Sequence, residues 1–336
     1  MKILLLSGGR SAEREISMQS ALFVRSVLEQ SGHEIISVEI SENGLWFLDL
    51  STVTLDTGHS IWKLFTYETE IEFDVVFPVL HGPWGEDGTI QGLCEIAGWP
   101  YTGADVMTSS LAMNKVTTKR LASSDGIPVV PWKSFSLNSP PSQNDLEPLR
   151  YPLFVKPVRM GSSVGISRID TPEQLQGALE LAFRYDSLIL IENGLANVRE
   201  IEVALLTESG SVISSVPGEI VPGLEWYDYT AKYDCIDSKL IIPASLSDKV
   251  SNQIRVFAEK VFSLLYGSGY ARADFLLIDD DEIYFNEINT IPGFTEISMF
   301  SKLWEASGKT SSEIMEQILA EALRKYSKPS QESELN

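Results

Sequence analysis

Two short stretches in the C-terminal third hold the residues whose types and spacing point most directly to chemistry. Ala271-Arg272-Ala273-Asp274-Phe275-Leu276-Leu277-Ile278 and Glu282-Ile283-Tyr284-Phe285-Asn286-Glu287-Ile288-Asn289 are apolar runs interrupted by a few polar residues. The acidic residues between them read as the turn of a hairpin. A two-residue turn at Asp280-Asp281 sets Asp274 opposite Glu287 and Arg272 opposite Asn289. Alternation along the strand then gathers Asp274, Glu287 and Asn289 on one face as three oxygen ligands. Facing carboxylates repel unless a cation lies between them. An all-oxygen set with few carboxylates suits Mg²⁺ that draws its other ligands from phosphate and water. The alternative is a solvated acidic edge, and a one-residue slip of the register would part the two carboxylates.

Other segments carry weaker signals. Gly161-Ser162-Ser163-Val164-Gly165 offers N–H groups and hydroxyls that could cradle a phosphate, with Lys156 just upstream and Lys115 as a second cation. Seen alone it is equally a tight turn beside an exposed lysine. The aromatic stretch Trp226-Tyr227-Asp228-Tyr229-Thr230-Ala231-Lys232-Tyr233-Asp234 reads either as a loop closing over a site or as a packed surface loop. His81 and Glu13, taken singly, read as a structural histidine and a first-turn partner of a helix dipole.

The elements that must position these groups begin with an apolar run over residues 2–7, ended by Gly8-Gly9 and followed by a helical pattern at Ile16, Ala21, Val24 and Leu28. Strands follow over 33–40 and 73–80, the latter with the continuous hydrophobicity of a buried parallel strand. An open α/β sheet results, with ligand positions at the Gly8-Gly9 and His81-Gly82 turns, where its strands end. Next come a helical stretch over 102–120, a strand at 151–157, a helix over 171–185 and the strand Leu188-Ile189-Leu190-Ile191-Glu192. The last region holds strands at 200–207 and 211–220, a helix over 246–266, the hairpin and a helix over 311–325. The domains expected are 1–103, 104–196 and 197–326, with a flexible tail at 327–336.

Composition narrows the partners. With 336 residues, 43% of them hydrophobic, the chain can build several cores. A formal charge of −21 disfavours nucleic acid and membrane surfaces. It also requires that the cations for any small anionic ligand be gathered at one place. Two cysteines and no apolar run of signal-peptide length lead to the expectation of a cytoplasmic protein.

Together the segments resemble the ATP-grasp carboxylate–amine ligases, specifically the D-alanine:D-alanine ligase family. The matching pieces are Gly8-Gly9-Arg10-Ser11-Ala12-Glu13-Arg14-Glu15-Ile16-Ser17, His81 to Gly88, Met113-Asn114-Lys115, Val155-Lys156-Pro157 with the Gly161 to Gly165 turn, Tyr227-Asp228-Tyr229 with Ala231-Lys232-Tyr233, Arg272-Ala273-Asp274, and Asn286-Glu287-Ile288-Asn289-Thr290-Ile291-Pro292-Gly293-Phe294-Thr295. They occur in family order to about residue 325.

The resemblance implies an α/β ATP-grasp fold behind an N-terminal open parallel α/β domain, and formation of the D-alanyl-D-alanine dipeptide for peptidoglycan with release of ADP and phosphate. It implies that Glu13 holds the ammonium of the first D-alanine, with His81 nearby, and that Ser162 links Glu13 to Tyr233. Ser163, Lys115, Lys156 and Lys232 would hold phosphates, Glu192 and Leu195 would lie at the adenine, Glu200 at the ribose, and Trp226 beside the nucleotide. Asp274, Glu287 and Asn289 would bind Mg²⁺, or Mn²⁺ in its place. Arg272 and the Gly293 N–H would form an oxyanion hole, and Ser298 and Met299 would receive the second D-alanine. A homodimer is implied, and activation by a monovalent cation is left open. A relative using D-lactate or D-serine, and a silent ATP-binding homologue, are the alternatives weighed.

Overall fold

The computed structural model describes residues 1–221 and 239–327. The first sheet has the order β6-β5-β4-β3-β2-β1-β7, formed by β1 (Lys2–Gly8), β2 (Glu34–Ile40), β3 (Trp46–Leu48), β4 (Ser51–Asp56), β5 (Lys63–Thr66), β6 (Thr69–Ile71) and β7 (Val75–Pro78). Its parallel part is β2-β1-β7. The strands β3 to β6, which the sequence reading did not anticipate, extend it as an antiparallel meander. β1 is buried on both faces because α1 (Arg14–Gln30) covers one and α2 (Thr89–Ala97) the other.

The expected helical stretch over 102–120 is two helices, α3 (Val106–Met113) and α4 (Lys115–Ser124). Asn114 breaks them: its backbone is extended and its Oδ1 accepts from Thr117 N at 3.0 Å, capping α4 so that Lys115 opens it. The second sheet, order β10-β9-β11-β8, is antiparallel throughout and comprises β8 (Trp132–Ser136), β9 (Leu153–Pro157), β10 (Ser167–Ile169) and β11 (Leu188–Asn193), backed by α5 (Leu175–Phe183).

The third sheet has the order β15-β14-β12-β16-β17, with β13 (Ser211–Ser214) on β12. It contains β12 (Arg199–Glu208), β14 (Gly218–Val221), β15 (Lys239–Ile241), β16 (Tyr270–Ile278) and β17 (Glu282–Asn289), and α6 (Asp248–Leu264) packs on it. Two helices follow, α7 (Met299–Ala306), absent from the sequence reading, and α8 (Ser311–Tyr326). One core joins the first and third sheets: Ile3, Leu5, Val24 and Phe77 share it with Tyr270, Phe294, Phe300, Leu303 and Ile318. Phe294 lies at its centre, with ring centroids 5.3 Å from Tyr270 and 5.2 Å from Phe300. The second sheet has its own core of Leu153, Val155, Leu179, Ile189 and Ile191.

The hairpin reaches the expected pairing by an unexpected route. Its connection is Asp279-Asp280-Asp281, three residues and not two, with Asp279 and Asp280 at positive φ. A β-bulge at Asn286 restores the register, so that Asp274 faces Glu287 and Arg272 faces Asn289. The bulge also changes the face on which side chains fall. Ile283 and Phe285 are buried in one phase and Ile288 in the other, which leaves Glu287 and Asn289 on the open side.

Candidate functional site

The open face of the hairpin is an array of paired charges. Asp274 accepts two bonds from Arg272, both at 2.7 Å, and a third from Asn289 Nδ2 at 3.1 Å. Glu202, opposite Asp274 on β12, lies 3.1 Å from Arg272 Nε. Burial opposes the guanidinium charge, yet Asp274 and Glu202 hold its pKa well above the ordinary value. Glu287 pairs with Lys115 Nζ at 2.8 Å, and the same ammonium donates to the Met160 carbonyl at 2.8 Å. Each of the two facing carboxylates therefore has its own cation. Asp274, Glu287 and Asn289 supply hard oxygen donors, with Asn289 Oδ1 available by rotation of its amide, and this set fits a divalent cation. Among the described residues no cluster of three or more His, Cys, Asp or Glu side chains has metal-binding geometry.

A second group forms where the first sheet ends. Ser162, at φ 48° in the turn after β9, donates from Oγ to Glu13 Oε1, across 149 residues of sequence. Gly82 is required here: its φ is 71°, and a Cβ would lie 2.3 Å from Glu13 Oε2. Ser11 Oγ donates to the His81 carbonyl at 2.6 Å and accepts from Glu13 N at 3.2 Å, fixing the two turns together.

Both nitrogens of His81 are engaged inside the protein. Burial pushes its pKa down to about 4, so the neutral ring donates from Nδ1 to the Ile291 carbonyl at 2.9 Å and accepts at Nε2 from Ser20 Oγ at 3.2 Å. Ser20 Oγ in turn accepts from Phe294 N at 3.2 Å. The ring is thereby directed at the segment carrying Gly293.

Sequence reasoning missed Glu86. Its carboxyl is buried and accepts from Gly82 N and from Ile291 N, each at 3.0 Å. Burial, and then the charge of Glu13, push its pKa up to about 8. The Ile291 peptide is thus held at its N–H by Glu86 and at its carbonyl by His81. The only sequence signal was an acid inside a glycine-rich turn.

A third group is buried between α4 and the second sheet. Glu192 is 2% exposed; Lys119 lies 2.9 Å from its Oε2, and Lys156 donates to its Oε1. Burial resists ionisation of Glu192, but Lys119 and then Lys156 hold its pKa down at about 2. The carboxylate expected at the adenine therefore faces two lysines. Lys119, one turn beyond Lys115 on α4, falls within the helical stretch expected over 102–120, where nothing in the sequence singles it out.

The remaining expected residues are spread around these groups. Ser298 precedes α7, accepts from Thr295 N at 2.9 Å and bonds its hydroxyl at 2.7 Å; Met299 behind it is buried. A Cβ on Gly293 would approach Ser298 Oγ to 2.9 Å, so the two are neighbours. Ser163, at φ 59°, follows Ser162, while Leu195 and Glu200 are half-buried beyond the end of β11 and at the start of β12. Trp226, Lys232 and Tyr233, with the rest of their aromatic stretch, lie outside the described residues, as does the tail from 328. Among the described residues no helix is long and apolar enough to cross a membrane.

Comparison with known proteins adds an independent line. Residues 2–104 match the family model described as the D-ala D-ala ligase N-terminus, and residues 121–320 match that of the D-ala D-ala ligase C-terminus. A D-alanine--D-alanine ligase of Thermoanaerobacter sp. (strain X514) is 41% identical over 98% of this chain and 99% of its own length. The solved D-alanine-D-alanine ligase from Coxiella burnetii is 34% identical with a TM-score of 0.87, over 97% of this chain and 94% of that one. The VanG D-Ala:D-Ser ligase from Enterococcus faecalis is 33% identical with a TM-score of 0.86, over 96% of this chain and 99% of that one.

Proposed function

The chain belongs to the D-alanine–D-alanine ligase family, and from that premise we propose that it is an ATP-dependent ligase joining two D-alanine molecules into the D-alanyl-D-alanine dipeptide of peptidoglycan. The observation that carries the reading is the convergence of Lys115 from α4, the hairpin carboxylate Glu287 and the Met160 carbonyl beside the Gly161 to Gly165 turn at one point. Lys115 stands there, and the charge of Glu287 also reaches Lys156 and Arg272, so cations of a strongly acidic chain surround one carboxylate, as a polyphosphate ligand requires.

In this reading Lys115, Lys156, Ser163 and Lys232 bind the phosphates, with Glu192, Leu195, Glu200 and Trp226 around the nucleoside. Asp274, Glu287 and Asn289 hold Mg²⁺, with Mn²⁺ as a substitute, and the ion supplies charge neutralisation at the transferring phosphoryl group. Glu13 binds the ammonium of the first D-alanine and is itself oriented by Ser162, whose hydrogen bond to it supports the assignment. Tyr233 completes that chain. ATP phosphorylates the first carboxylate with loss of ADP, the amine of the second D-alanine attacks the acyl phosphate, Arg272 with the Gly293 N–H stabilises the oxyanion that develops, and collapse of that intermediate expels phosphate as the amine gives up a proton to solvent. Ser298 and Met299 receive the second D-alanine.

His81 and Glu86 fix the segment that carries Gly293 by gripping the Ile291 peptide from both sides. We place the three units at 1–103, 104–196 and 197–326, and assign the protein a cytoplasmic setting as a homodimer, which light scattering in solution checks. Incubation with ATP, Mg²⁺ and D-alanine is expected to release phosphate and give D-alanyl-D-alanine. No dipeptide at millimolar D-alanine refutes the reading. D-serine and D-lactate offered in competition should yield minor products, and dominance of either would reassign the second substrate.

A further inference from the structure

Lys119 has no task in the chemistry above, yet it occupies one of the most protected positions in the molecule. Its side chain is 1% exposed and that of Glu192 is 2%, whereas Lys156 is 13% exposed. One buried carboxylate is thus shared by two lysines, and only one of them has an outlet toward the site. Burial lowers the pKa of Lys119 and Glu192 works against that loss; Lys156 is raised in spite of burial by Glu192, Glu287 and Glu200. If Lys156 turns onto a polyphosphate, the carboxylate it leaves becomes a buried charge, and such a charge is strongly unfavourable without a partner. Lys119 is the partner that remains, on the buried face of α4 with Val116 and Ala122.

We infer that Lys119 is a positioning residue that keeps Glu192 neutralised and thereby frees Lys156 to engage the phosphates of the nucleotide. It acts through Glu192 and does not touch the ligand. The inference rests on the ATP reading above.

Isothermal titration of ATP into the full-length protein without D-alanine separates the two. Failure of the wild type to bind ATP strikes the reading itself; the following outcomes concern Lys119 alone. Lys119→Met should weaken ATP binding by about tenfold to a hundredfold, because Lys156 is then the sole counter-charge of Glu192 among the described residues. The KM for ATP should rise in parallel, while kcat at saturating ATP changes less than about threefold. Lys119→Met combined with Glu192→Gln removes the charge that needed neutralising, and should bind ATP within about threefold of Glu192→Gln alone. Circular dichroism reports whether each variant folds. If Lys119→Met alone fails to fold and the double variant folds and binds as predicted, the neutralising role is upheld. Unchanged ATP binding by a folded Lys119→Met protein, a double variant that binds ATP more than about threefold more weakly than Glu192→Gln alone, or failure of both variants to fold overturns it.

Discussion

The pair that grips the Ile291 peptide should write a distinctive signature into the pH dependence of stability. Glu86 keeps its proton to about pH 8 when folded but releases it near 4.5 when unfolded. The folded state therefore binds the extra proton across that window, and stability falls as pH rises through it, by about 1.4 kcal/mol per unit and about 5 kcal/mol in all. His81 acts in the opposite sense. Its pKa is about 4 folded against 6.5 unfolded, so its contribution is lost as pH falls from 6.5 toward 4, a change of about 3 kcal/mol. From 4.5 to 6.5 the two slopes oppose and nearly cancel; from 6.5 to 8 Glu86 acts alone, costing about 2 kcal/mol.

Glu86→Gln removes one of the two slopes. Urea unfolding of both proteins at half-unit steps from pH 5 to 8.5, followed by tryptophan fluorescence, isolates it. The stability of the variant minus that of the wild type should grow by about 1.4 kcal/mol for each unit up to pH 8 and level off above. A difference that stays constant with pH would show that Glu86 is ionised in the fold at neutral pH, and would refute the argument from its burial beside Glu13.

Other expectations follow from the hairpin and the shared core. Glu287→Gln should lower turnover by at least about a hundredfold through loss of charge at the metal, with thermal melting close to that of the wild type; global unfolding would mean that the residue is structural. Arg272→Met should cost about 3 kcal/mol or more in urea unfolding because Glu202 and Asp274 lose their shared cation, and should lower kcat by about 10²-fold to 10³-fold in the phosphate-release assay. Phe294→Ala should destabilise by about 3–5 kcal/mol in thermal or urea unfolding.

Much of the hairpin was legible because strand alternation is a short-range rule. Arg272 with Asp274, and Glu287 with Asn289, are each two residues apart, so each pair shares a face whatever the turn does. The facing of one pair by the other was obtained from a turn one residue too short, and the bulge at Asn286 makes up the difference. The signal was present in the sequence: Ile283 and Phe285 keep one parity and Ile288 the other, which no unbroken half-buried strand would show. Glu86 and Lys119 were illegible for another reason. Nothing within a few residues of either distinguishes a buried charge from a solvated one, and their burial is decided by segments more than seventy residues away, at Ile291 and Glu192. The helices α2 and α7 are only 9 and 8 residues long, too short for a periodic pattern to stand out. The split between α3 and α4 turns on the side chain of Asn114, an N-cap that Met113-Asn114-Lys115 does carry in its sequence.

The division of the hydrophobic interior has a consequence for local unfolding. The first and third sheets share one core while the second keeps its own, so the amides of β9 and β11 should exchange with solvent through an opening that leaves β1 and β16 protected. Polar and charged side chains lie along the boundary between these two units: Lys156 and Ser162 on one, Glu13 and Glu287 on the other. A ligand that bridges them must suppress that opening by its binding free energy. Deuterium uptake in β9 and β11 thereby becomes a measure of nucleotide occupancy that needs no turnover.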